Sequence, residues 1–381
     1  WKAHRMYGSK DWAELLAPSI ELAGRGFIVA PYLASSLEKL HARLDRWPGL
    51  GKFFGDAGMP LKPGEILVQP DLASTLSLIA QQGRDGFYSG RTAELIDAEM
   101  RRGGGLLTGD DLTSYEAVER EPVRGSYRGF VVISAPPPSS GGIVLLEMLN
   151  ILEGYELGRE REIGTIHTVI EAERRAYADR ARWLGDSDFI EIPVSALISK
   201  EYADDLRKHI NYMATPSFDL KGQESEETTH YSVVDAEGNA VAVTTTLNGS
   251  YGSYVVVEGA GFLMNNEMDD FSIKPGVPNM YGLTGGEANA IEPGKRMLSS
   301  MTPTIVLRDG EAWLVLGSPG GSTIITTVAQ VMMNIIDFGL GPLEAVGAPR
   351  YHHQWSPDMV YYEQGAFTET EIDLLMKKGH E

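Results

Sequence analysis

The first hundred residues carry apolar positions at the spacing of amphipathic helices. In the segment 11–26, apolar residues recur every three or four positions between an acidic start and a glycine stop, which predicts a helix. The segments 71–83 and 90–105 repeat this pattern, and Asp71 is the predicted N-cap of the first of them. This part of the chain is therefore predicted to be mainly helical.

The pattern changes between residues 108 and 184. A short capped helix is predicted at 108–118, and a β segment is predicted at 125–138. The turn sequence PPPSSGG at 136–142 then begins an apolar helix. A long helix with charged exposed positions is predicted around 166–184.

The C-terminal part is rich in β-forming residues. Two apolar runs within 228–247 are joined by the turn sequence AEGN, and two within 302–318 are joined by DG, so each segment is predicted to be a β-hairpin. The segment 251–266 is also predicted to be β, and 322–336 is an apolar helix suited to covering a sheet. Helices that flank clustered antiparallel strands predict an α+β fold, a four-layer αββα sandwich.

The composition predicts one exposed segment and excludes several classes of partner and of chemistry. The segment 215–227 is polar and acidic, with almost no apolar residues, and predicts an exposed loop or linker. The net charge of -20 argues against nucleic acid as a partner, because phosphate binding needs a positive surface. The chain has no cysteine, which excludes disulfides and cysteine catalysis. No apolar run approaches the ~20 residues of a membrane span.

Familiar cofactor and metal motifs do not occur in the sequence. There is no GxxxxGK[ST] and no GxGxxG after a predicted strand, so no nucleotide cofactor is expected. The sequence GSPGGS at 317–322 lacks the central serine of a nucleophile elbow. His352 and His353 are adjacent, and adjacent residues on a strand point to opposite faces, so no metal site is expected there.

A threonine at the junction between the polar segment and the first hairpin is the candidate nucleophile. Thr228 follows Glu227, and its hydroxyl can attack the carbonyl of Glu227 and so cleave the chain without a protease. The α-amine that this cleavage exposes has a pKa of about 7.7–8.0, so it can act as a base near neutral pH. The amine and the hydroxyl belong to one residue, which places them close together at little entropic cost.

Several motifs along the chain carry a resemblance to a known family. In the C-terminal part these are TTHYSVVDAEGNAVAVTTTLN, NNEMDDFS, MLSSMTPTIV, GSPGGSTIITTV and PRYHHQW, and earlier ones are SYRGFVVISAPPPSSGG and AERRAYADRARWLGDSDF. In this order they resemble the γ-glutamyltranspeptidase family of N-terminal-nucleophile hydrolases over nearly the whole chain. The resemblance implies the αββα fold of that superfamily. It also implies self-cleavage into two subunits, and transfer or hydrolysis of γ-glutamyl groups such as that of glutathione.

The same resemblance assigns roles to individual residues. It implies that Thr228 is the nucleophile, that cleavage falls between Glu227 and Thr228, and that Thr246 hydrogen-bonds the nucleophile. Gly320 and Gly321 resemble the oxyanion hole, where glycine lets backbone N–H groups approach a developing charge. The implied donor-binding residues are Asn248, Glu267 and Asp270 for the α-ammonium, Ser299 and Ser300 for the α-carboxylate, and Tyr281 at the tip of a lid loop. Two carboxylates in one polar pocket match a cation.

Each assignment has a simpler structural alternative. Thr229 and Thr244 are expected to be strand residues only. Ser299 and Ser300 could form a turn, Gly320-Gly321 could begin a helix without binding substrate, and Asp270 could be an N-cap. The ordered occurrence of all the motifs favours the catalytic interpretation.

The resemblance also implies an organisation and a setting. Residues 1–227 correspond to the large subunit without its N-terminal part. The arginine that binds the donor's α-carboxylate belongs to that part and is therefore expected to be missing. Residues 228–381 correspond to the small subunit without its last strands, and the two portions are expected to form one αββα domain and to pair after cleavage. A small-molecule γ-glutamyl donor, an amino-acid, peptide or water acceptor, a bacterial origin, and a periplasmic or secreted location are expected.

Two alternatives to a γ-glutamyltransferase remain open from the sequence. One is a sister enzyme of the same fold, a cephalosporin or glutaryl acylase or a poly-γ-glutamate transpeptidase. The other is a non-catalytic fragment.

Overall fold

The computed structural model describes residues 1–54, 58–158, 162–215 and 228–381. The chain divides into two units. The first comprises Trp1–Glu119 and Tyr251–Asn265, and the second comprises Arg120–Ser250 and Asn266–Glu381. The second unit thus takes in residues from both sides of the predicted cleavage point at Thr228.

The first unit is largely helical, as the sequence predicts. Its helices and strands are α1 Lys2–Tyr7, α2 Trp12–Arg25, β1 Phe27–Ile28, α3 Pro31–His41, β2 Ile66–Leu67, α4 Pro70–Gln82, α5 Asp85–Tyr88, α6 Gly90–Gly103 and α7 Gly109–Ser114. Helix α2 begins where predicted, since the Asp11 carboxylate accepts from the N–H of Glu14 at 3.1 Å. Helix α6 ends at Gly104 in the left-handed conformation, which glycine adopts without strain.

Two predictions in this unit are wrong. Asp71 is not the N-cap of α4, because the helix begins at Pro70, whose fixed φ suits a first helical position. Asp71 instead pairs with Lys52, with 2.6 Å between Oδ2 and Nζ. The segment 251–265 contains no strand, only an isolated bridge between Val256 and Leu263. Positive φ angles at Gly252, Tyr254, Gly259 and Gly261 interrupt the extended backbone that a strand requires.

The second unit contains the strands. Its elements are β3 Val123–Tyr127, β4 Phe130–Ser134, α8 Gly141–Glu153, α9 Ile163–Trp183, α10 Val194–Leu197, α11 Lys200–Arg207, β5 Thr229–Val234, β6 Ala240–Thr245, β7 Thr304–Arg308, β8 Glu311–Leu316, α12 Ile324–Ile336, α13 Pro342–Gly347, β9 Tyr351–His352, β10 Tyr361–Tyr362 and α14 Glu369–Lys377. Short 3₁₀ turns at Glu267–Asp270 and Gly321–Thr323 lie in the same unit.

An antiparallel sheet in the order β3-β4-β7-β8 organises this unit. The predicted β segment at 125–138 is two strands, because Arg128 and Gly129 take positive φ and reverse the chain. The predicted hairpin at Asp309-Gly310 is confirmed, and both of its turn residues have positive φ. Strand β4 then pairs with β7 although the two are far apart in sequence.

Helices cover the four-stranded sheet and supply most of the core. Helix α8 is buried along nearly its whole length, and α9 and α12 pack with it around Val132 and Val306 of the sheet. Burial of such large apolar surfaces is the main stabilising contribution to a unit of this size. Among the described residues, no helix combines the length and the apolar character needed to cross a membrane.

The hairpin β5–β6 forms a separate two-stranded sheet beside β7 and β8 and does not join their hydrogen-bonded ladder. The register pairs Thr229 with Thr245, so the residues just outside the ladder, Thr228 and Thr246, face each other. The two threonine clusters of the hairpin, Thr228–Thr229 and Thr244–Thr246, thus meet at one end of it.

Candidate active site

The two threonines predicted to act together are within hydrogen-bond distance. The Thr228 hydroxyl donates to Oγ1 of Thr246 at 3.4 Å, and Oγ1 of Thr246 also accepts from the N–H of Asn248 at 2.9 Å. Thr228 is half-buried, so its hydroxyl remains accessible. Glu227 lies outside the described residues, and the cleavage between Glu227 and Thr228 stays a prediction.

Thr229 and Thr244 are strand residues, as expected from the sequence. The side chain of Thr229 is exposed, and Thr244 shares a hydrogen bond of 2.8 Å with Nδ1 of His230. Neither lines the pocket that contains Thr246 and Asn248. The hairpin therefore presents one threonine of each cluster to that pocket.

Asn248 forms a bend directly after the second threonine cluster. It is 3% exposed and has a φ of 71°, a conformation that asparagine adopts more readily than most residues. Its side-chain amide donates to the carbonyl of Asn266 at 3.2 Å, and its own carbonyl accepts from the Tyr281 hydroxyl at 2.8 Å. Tyr281 is itself buried and forms part of the pocket wall.

The 3₁₀ turn Glu267–Asp270 contributes the Asp270 carboxyl group to the pocket lining, and Glu267 belongs to the same turn. Burial raises the pKa of Asp270 to about 7, although the Arg180 guanidinium opposes this shift. Burial and the neighbouring Asp270 raise the pKa of Glu267 to about 8. Both carboxyl groups are therefore partly protonated near neutral pH when no cation is bound. Asp270 is not an N-cap, because it is the last residue of its turn and accepts from the Asn279 side chain at 3.4 Å.

Ser299 and Ser300 line the same pocket, and we call them its serine end, as we call the turn of Asp270 its acidic end. The backbone of Ser299 pairs with Ser139 in an isolated parallel bridge, and its carbonyl accepts from both the N–H and the hydroxyl of Ser140. The Ser299 hydroxyl accepts from the N–H of Met301 at 3.0 Å. Ser300 is 9% exposed and lines the pocket beside Ser299. Ser299 thus takes part in a turn, since its hydroxyl accepts from the N–H two residues on, and its backbone is also tied to the segment of Ser139 and Ser140.

A buried arginine that the sequence interpretation missed lies behind these serines. Arg180 of α9 is 5% exposed, its Nε donates to the Ser140 hydroxyl at 2.9 Å, and one terminal nitrogen donates to the Ser300 hydroxyl at 3.1 Å. Burial lowers its pKa, an effect that Tyr177 and Asp270 oppose. The spacing held a signal, since Arg180 follows the apolar Ala176 and Tyr177 by four and three positions and so falls on the buried helix face.

The glycine pair lies where α12 begins. Gly320 has a φ of 128° and Gly321 a φ of 55°, both of which disfavour any other residue. The 3₁₀ turn Gly321–Thr323 runs directly into α12, and the first N–H groups of such a turn have no partner within it. A Cβ atom on Gly321 would lie 3.0 Å from the Tyr281 ring, so the pocket is closely packed here.

One pocket collects residues from all these segments. It is lined by Thr228, Thr246, Asn248, Asp270, Tyr281, Leu283, Ser299, Ser300, Met301, Gly321 and Ile324. Gly320 and Glu267 do not line it. Gly320 directly precedes the lining residue Gly321, and Glu267 belongs to the same turn as the lining residue Asp270. A second, more open depression on the other side of Thr228 includes Thr229, Gly249 and Ser250.

His352 and His353 both form hydrogen bonds with other side chains. His352 is hydrogen-bonded to Thr326 and Gln354, and His353 contacts the Asp358 carboxylate at 3.1 Å. In the part of the chain that the structure describes, no group of three or more histidine and acidic side chains is arranged to hold a metal ion.

Comparisons with known proteins identify relatives of this chain. The sequence profile of the family described as Gamma-glutamyltranspeptidase matches residues 1–381. The chain is 49% identical over 382 residues to a glutathione hydrolase proenzyme of Escherichia coli, covering 98% of this chain and 66% of the relative. It is 48% identical over 389 residues to a glutathione hydrolase proenzyme of a Pseudomonas strain, covering 99% of this chain and 67% of the relative. The chain thus spans about two thirds of the length of these relatives.

A solved structure extends the agreement to the fold. The crystal structure of cephalosporin acylase from Bacillus halodurans matches with a TM-score of 0.88 and 31% identity, covering 100% of this chain and 69% of that one. The predicted α+β fold of the N-terminal-nucleophile hydrolase type is confirmed, as is the predicted family resemblance.

Proposed function

The chain belongs to the gamma-glutamyltranspeptidase family, and we propose that it is a γ-glutamyltransferase and glutathione hydrolase that works through a γ-glutamyl-threonine intermediate. The observation that carries this proposal is the pocket itself. It brings together the Thr228 hydroxyl, the half-buried Asp270 carboxyl and the serines Ser299 and Ser300. This pattern suits a donor that carries both an α-ammonium and an α-carboxylate.

Maturation is the first step that the nucleophile would perform. The Thr228 hydroxyl attacks the carbonyl carbon of Glu227, the peptide C–N bond breaks, and an ester forms with Oγ1. Water then hydrolyses this ester and leaves Thr228 with a free α-amine. The hydrogen bond from Thr228 to Thr246 fixes the hydroxyl that must react. The large and small subunits would stay paired, because the second unit includes segments from both sides of Thr228.

The catalytic cycle would use the new amine as the general base. The amine takes the Oγ1 proton as Oγ1 attacks the γ-carbonyl carbon of the donor, and the proton passes to the leaving amine when the amide bond breaks. Backbone N–H groups at Gly320 and Gly321 would stabilise the oxyanion, a contribution worth about 3 kcal/mol for one such donor in other hydrolases. Water or an acceptor amine then attacks the ester from the open side of Thr228, where the second depression lies.

Donor recognition follows from the two ends of the pocket. Asp270 and the Asn248 side chain would face the α-ammonium, and Glu267 would act from the same turn without lining the pocket. The charge of the ammonium favours ionised carboxylates. The Ser299 and Ser300 hydroxyls would donate to the α-carboxylate. Tyr281 holds Asn248 in place through its hydroxyl and closes the pocket beside Gly321.

The alternative of a sister acylase is supported by the matching cephalosporin acylase structure. The acidic end of the pocket argues against it here. A glutaryl donor lacks the ammonium and would leave Asp270 and Glu267 without a cation, so that both must stay protonated to avoid buried unpaired charges. A non-catalytic fragment remains the third possibility, and the same maturation experiment distinguishes it.

The experiment that tests the proposal is intact-mass spectrometry of the purified chain with N-terminal sequencing, followed by assays with γ-glutamyl-p-nitroanilide and glutathione. We expect two species that meet between Glu227 and Thr228. Thr228→Ala should abolish both cleavage and turnover and leave the thermal unfolding transition in place. Thr244→Ser is the matched control, since Thr244 lines neither depression and serine keeps a hydroxyl for the His230 ring. Cleavage in the Thr228 variant, or an uncut and inactive wild-type chain, would overturn the proposal.

Location is a separate proposal. The family resemblance and the acidic composition of the chain support export to the periplasm or the medium, as expected from the sequence. Fractionation of cells that express the native gene, with the activity assayed in each fraction, tests it. Activity confined to the cytosolic fraction would exclude export.

A further inference from the structure

Arg180 is buried beside the donor pocket, and no carboxylate among the described residues lies within ion-pair distance of it. Its hydrogen-bond partners are hydroxyls, Ser140 at 2.9 Å and Ser300 at 3.1 Å. A buried guanidinium ordinarily pairs with a carboxylate, because an unpaired charge is costly to remove from water. Other buried arginines of α9 follow this rule, since Arg174 contacts both Glu171 and Asp358.

The guanidinium determines the direction in which the serine hydroxyls point. Arginine can only donate hydrogen bonds, so the oxygens of Ser140 and Ser300 must accept from it. The Ser140 hydroxyl then donates to the carbonyl of Ser299 at 2.7 Å. The Ser300 hydroxyl has no protein acceptor among the described residues, and Ser300 lines the pocket. Its O–H is therefore left to donate into the pocket, which suits an anion and not a cation.

The charge of Arg180 acts in the same direction. It is close enough to Asp270 for each group to shift the pKa of the other. One buried cation thus lies near both ends of the pocket, beneath the serines and within electrostatic reach of the acidic turn. At the serine end it adds a positive potential in a region of low dielectric, where electrostatic interactions are stronger than in water.

We propose that Arg180 is a positioning residue that makes the serine end of the pocket selective for a carboxylate, by orienting the Ser300 hydroxyl and by holding Ser299 through Ser140. This inference rests on the proposed function, because it assigns the end of the pocket that reads the donor's α-carboxylate. Arg180 does not touch the donor in this arrangement. Its effect passes through the two serines and through its charge.

The test uses three p-nitroanilide donors that differ by one group each. The γ-glutamyl donor carries both the α-ammonium and the α-carboxylate, the glutaryl donor lacks the ammonium, and the γ-aminobutyryl donor lacks the carboxylate. The variants are Arg180→Lys and Ser140→Ala. The control is Arg182→Lys, two positions along the same helix, where the side chain is exposed and lies over Trp183.

We expect Arg180→Lys to lower kcat/KM for the γ-glutamyl and glutaryl donors by about ten- to a hundredfold, mainly through KM, and to change the γ-aminobutyryl donor by less than about threefold. Lysine keeps the charge but cannot hold two hydroxyls in a fixed fork. Ser140→Ala keeps Arg180 and should give a smaller loss, about threefold to tenfold, with the same donor selectivity. Arg182→Lys should behave as wild type.

Equal losses with all three donors would overturn the inference, because a merely structural arginine gives no donor selectivity. Intact mass and thermal unfolding show whether each variant folds and matures. If Arg180→Lys does not fold, Ser140→Ala decides alone, and an unselective loss there contradicts the inference. If wild type prefers the glutaryl donor to the γ-glutamyl donor, the proposed function fails, while the comparison of glutaryl with γ-aminobutyryl still tests Arg180.

Discussion

The two ends of the donor pocket are built on opposite principles. At the acidic end, Asp270 and Glu267 present ionisable groups directly, and burial raises their pKa values to about 7 and about 8. At the serine end, Ser299 and Ser300 present neutral hydroxyls, and the full charge of Arg180 stays behind them. The first end can change its charge when a ligand binds. The second has a fixed polarity at every physiological pH.

This difference predicts that the two ends contribute differently to the affinity for the donor. A carboxyl group that holds a proton in the empty pocket avoids an unpaired buried charge and ionises when a cation arrives. A hydroxyl whose oxygen already accepts from arginine is oriented before the ligand binds, so less ordering remains to be done. We therefore expect the acidic end to supply the larger and pH-dependent part of donor affinity, and the serine end to supply a smaller, constant part.

The largest expected effect comes from removing the carboxylate of the acidic end. Asp270→Ala should raise KM for glutathione by about a hundredfold, because the donor's ammonium loses a buried carboxylate partner. Self-cleavage, measured by intact mass, should be nearly normal. The matched control is Asp269→Asn, which keeps an oxygen for the N–H of Met280, contacted at 2.9 Å by the native carboxylate. Equal loss of cleavage and donor binding in the Asp270 variant would mean that Asp270 is structural.

The next largest effect comes from removing a hydroxyl of the serine end. Ser300→Ala should raise KM for the γ-glutamyl and glutaryl donors by about tenfold, the typical value of one hydrogen bond to a charged group. The γ-aminobutyryl donor, which has no α-carboxylate, should be nearly unaffected. Asp270→Ala should show the reverse selectivity and spare the glutaryl donor. The comparison of the two ends is wrong if Ser300→Ala also weakens the γ-aminobutyryl donor, or if Asp270→Ala also weakens the glutaryl donor.

A third prediction separates the ends by pH. Glutamate binding to the Thr228→Ala variant should tighten several-fold from about pH 6 to about pH 8.5, as the carboxyl groups with pKa values of about 7 and about 8 lose their protons. The sign follows from the raised pKa values, because only the ionised forms attract the ammonium. Calorimetry in buffers of different ionisation enthalpy should show proton release on binding. Glutarate, which lacks the amine, should not bind more tightly as the pH rises.

The smallest expected effect refines the acidic end. Glu267→Gln should change KM for glutathione at about pH 8.5 by less than about threefold, since Glu267 lies behind Asp270 and does not line the pocket. Its removal should take away the titration near pH 8, because Glu267 has the higher pKa of the two carboxyl groups, and so end the pH dependence at a lower pH. A loss as large as that of Asp270→Ala would show that the ammonium rests on Glu267.

Much of the second unit could be predicted from local sequence. The hairpin at β5–β6, the hairpin at β7–β8 and the apolar helix α12 each carry their own periodicity and turn residues. The failures have local causes too. The apolar residues of 251–265 resemble a strand in composition, but the backbone at Gly252, Gly259 and Gly261 takes positive φ and turns away from the extended form.

The candidate site was predictable only as a set of motifs. Their order along the chain pointed to Thr228 and to its partners, and the structure brings Thr228, Asp270 and Ser300 into one pocket. The role of Arg180 could not be read in this way, because its helical spacing predicts only that it lies on the buried face of α9 and not which groups it contacts. Only its burial and its two serine contacts distinguish it.

The sequence by itself determined the local elements, the family and the residue types that chemistry would need, since these depend on neighbours within a few positions of the chain. The tertiary structure alone decided which of those residues share a pocket and how each is charged. The pKa of Asp270 and the orientation of the Ser300 hydroxyl depend on burial and on groups far away in sequence, above all Arg180. Desolvation and electrostatic contact arise only when distant segments pack together.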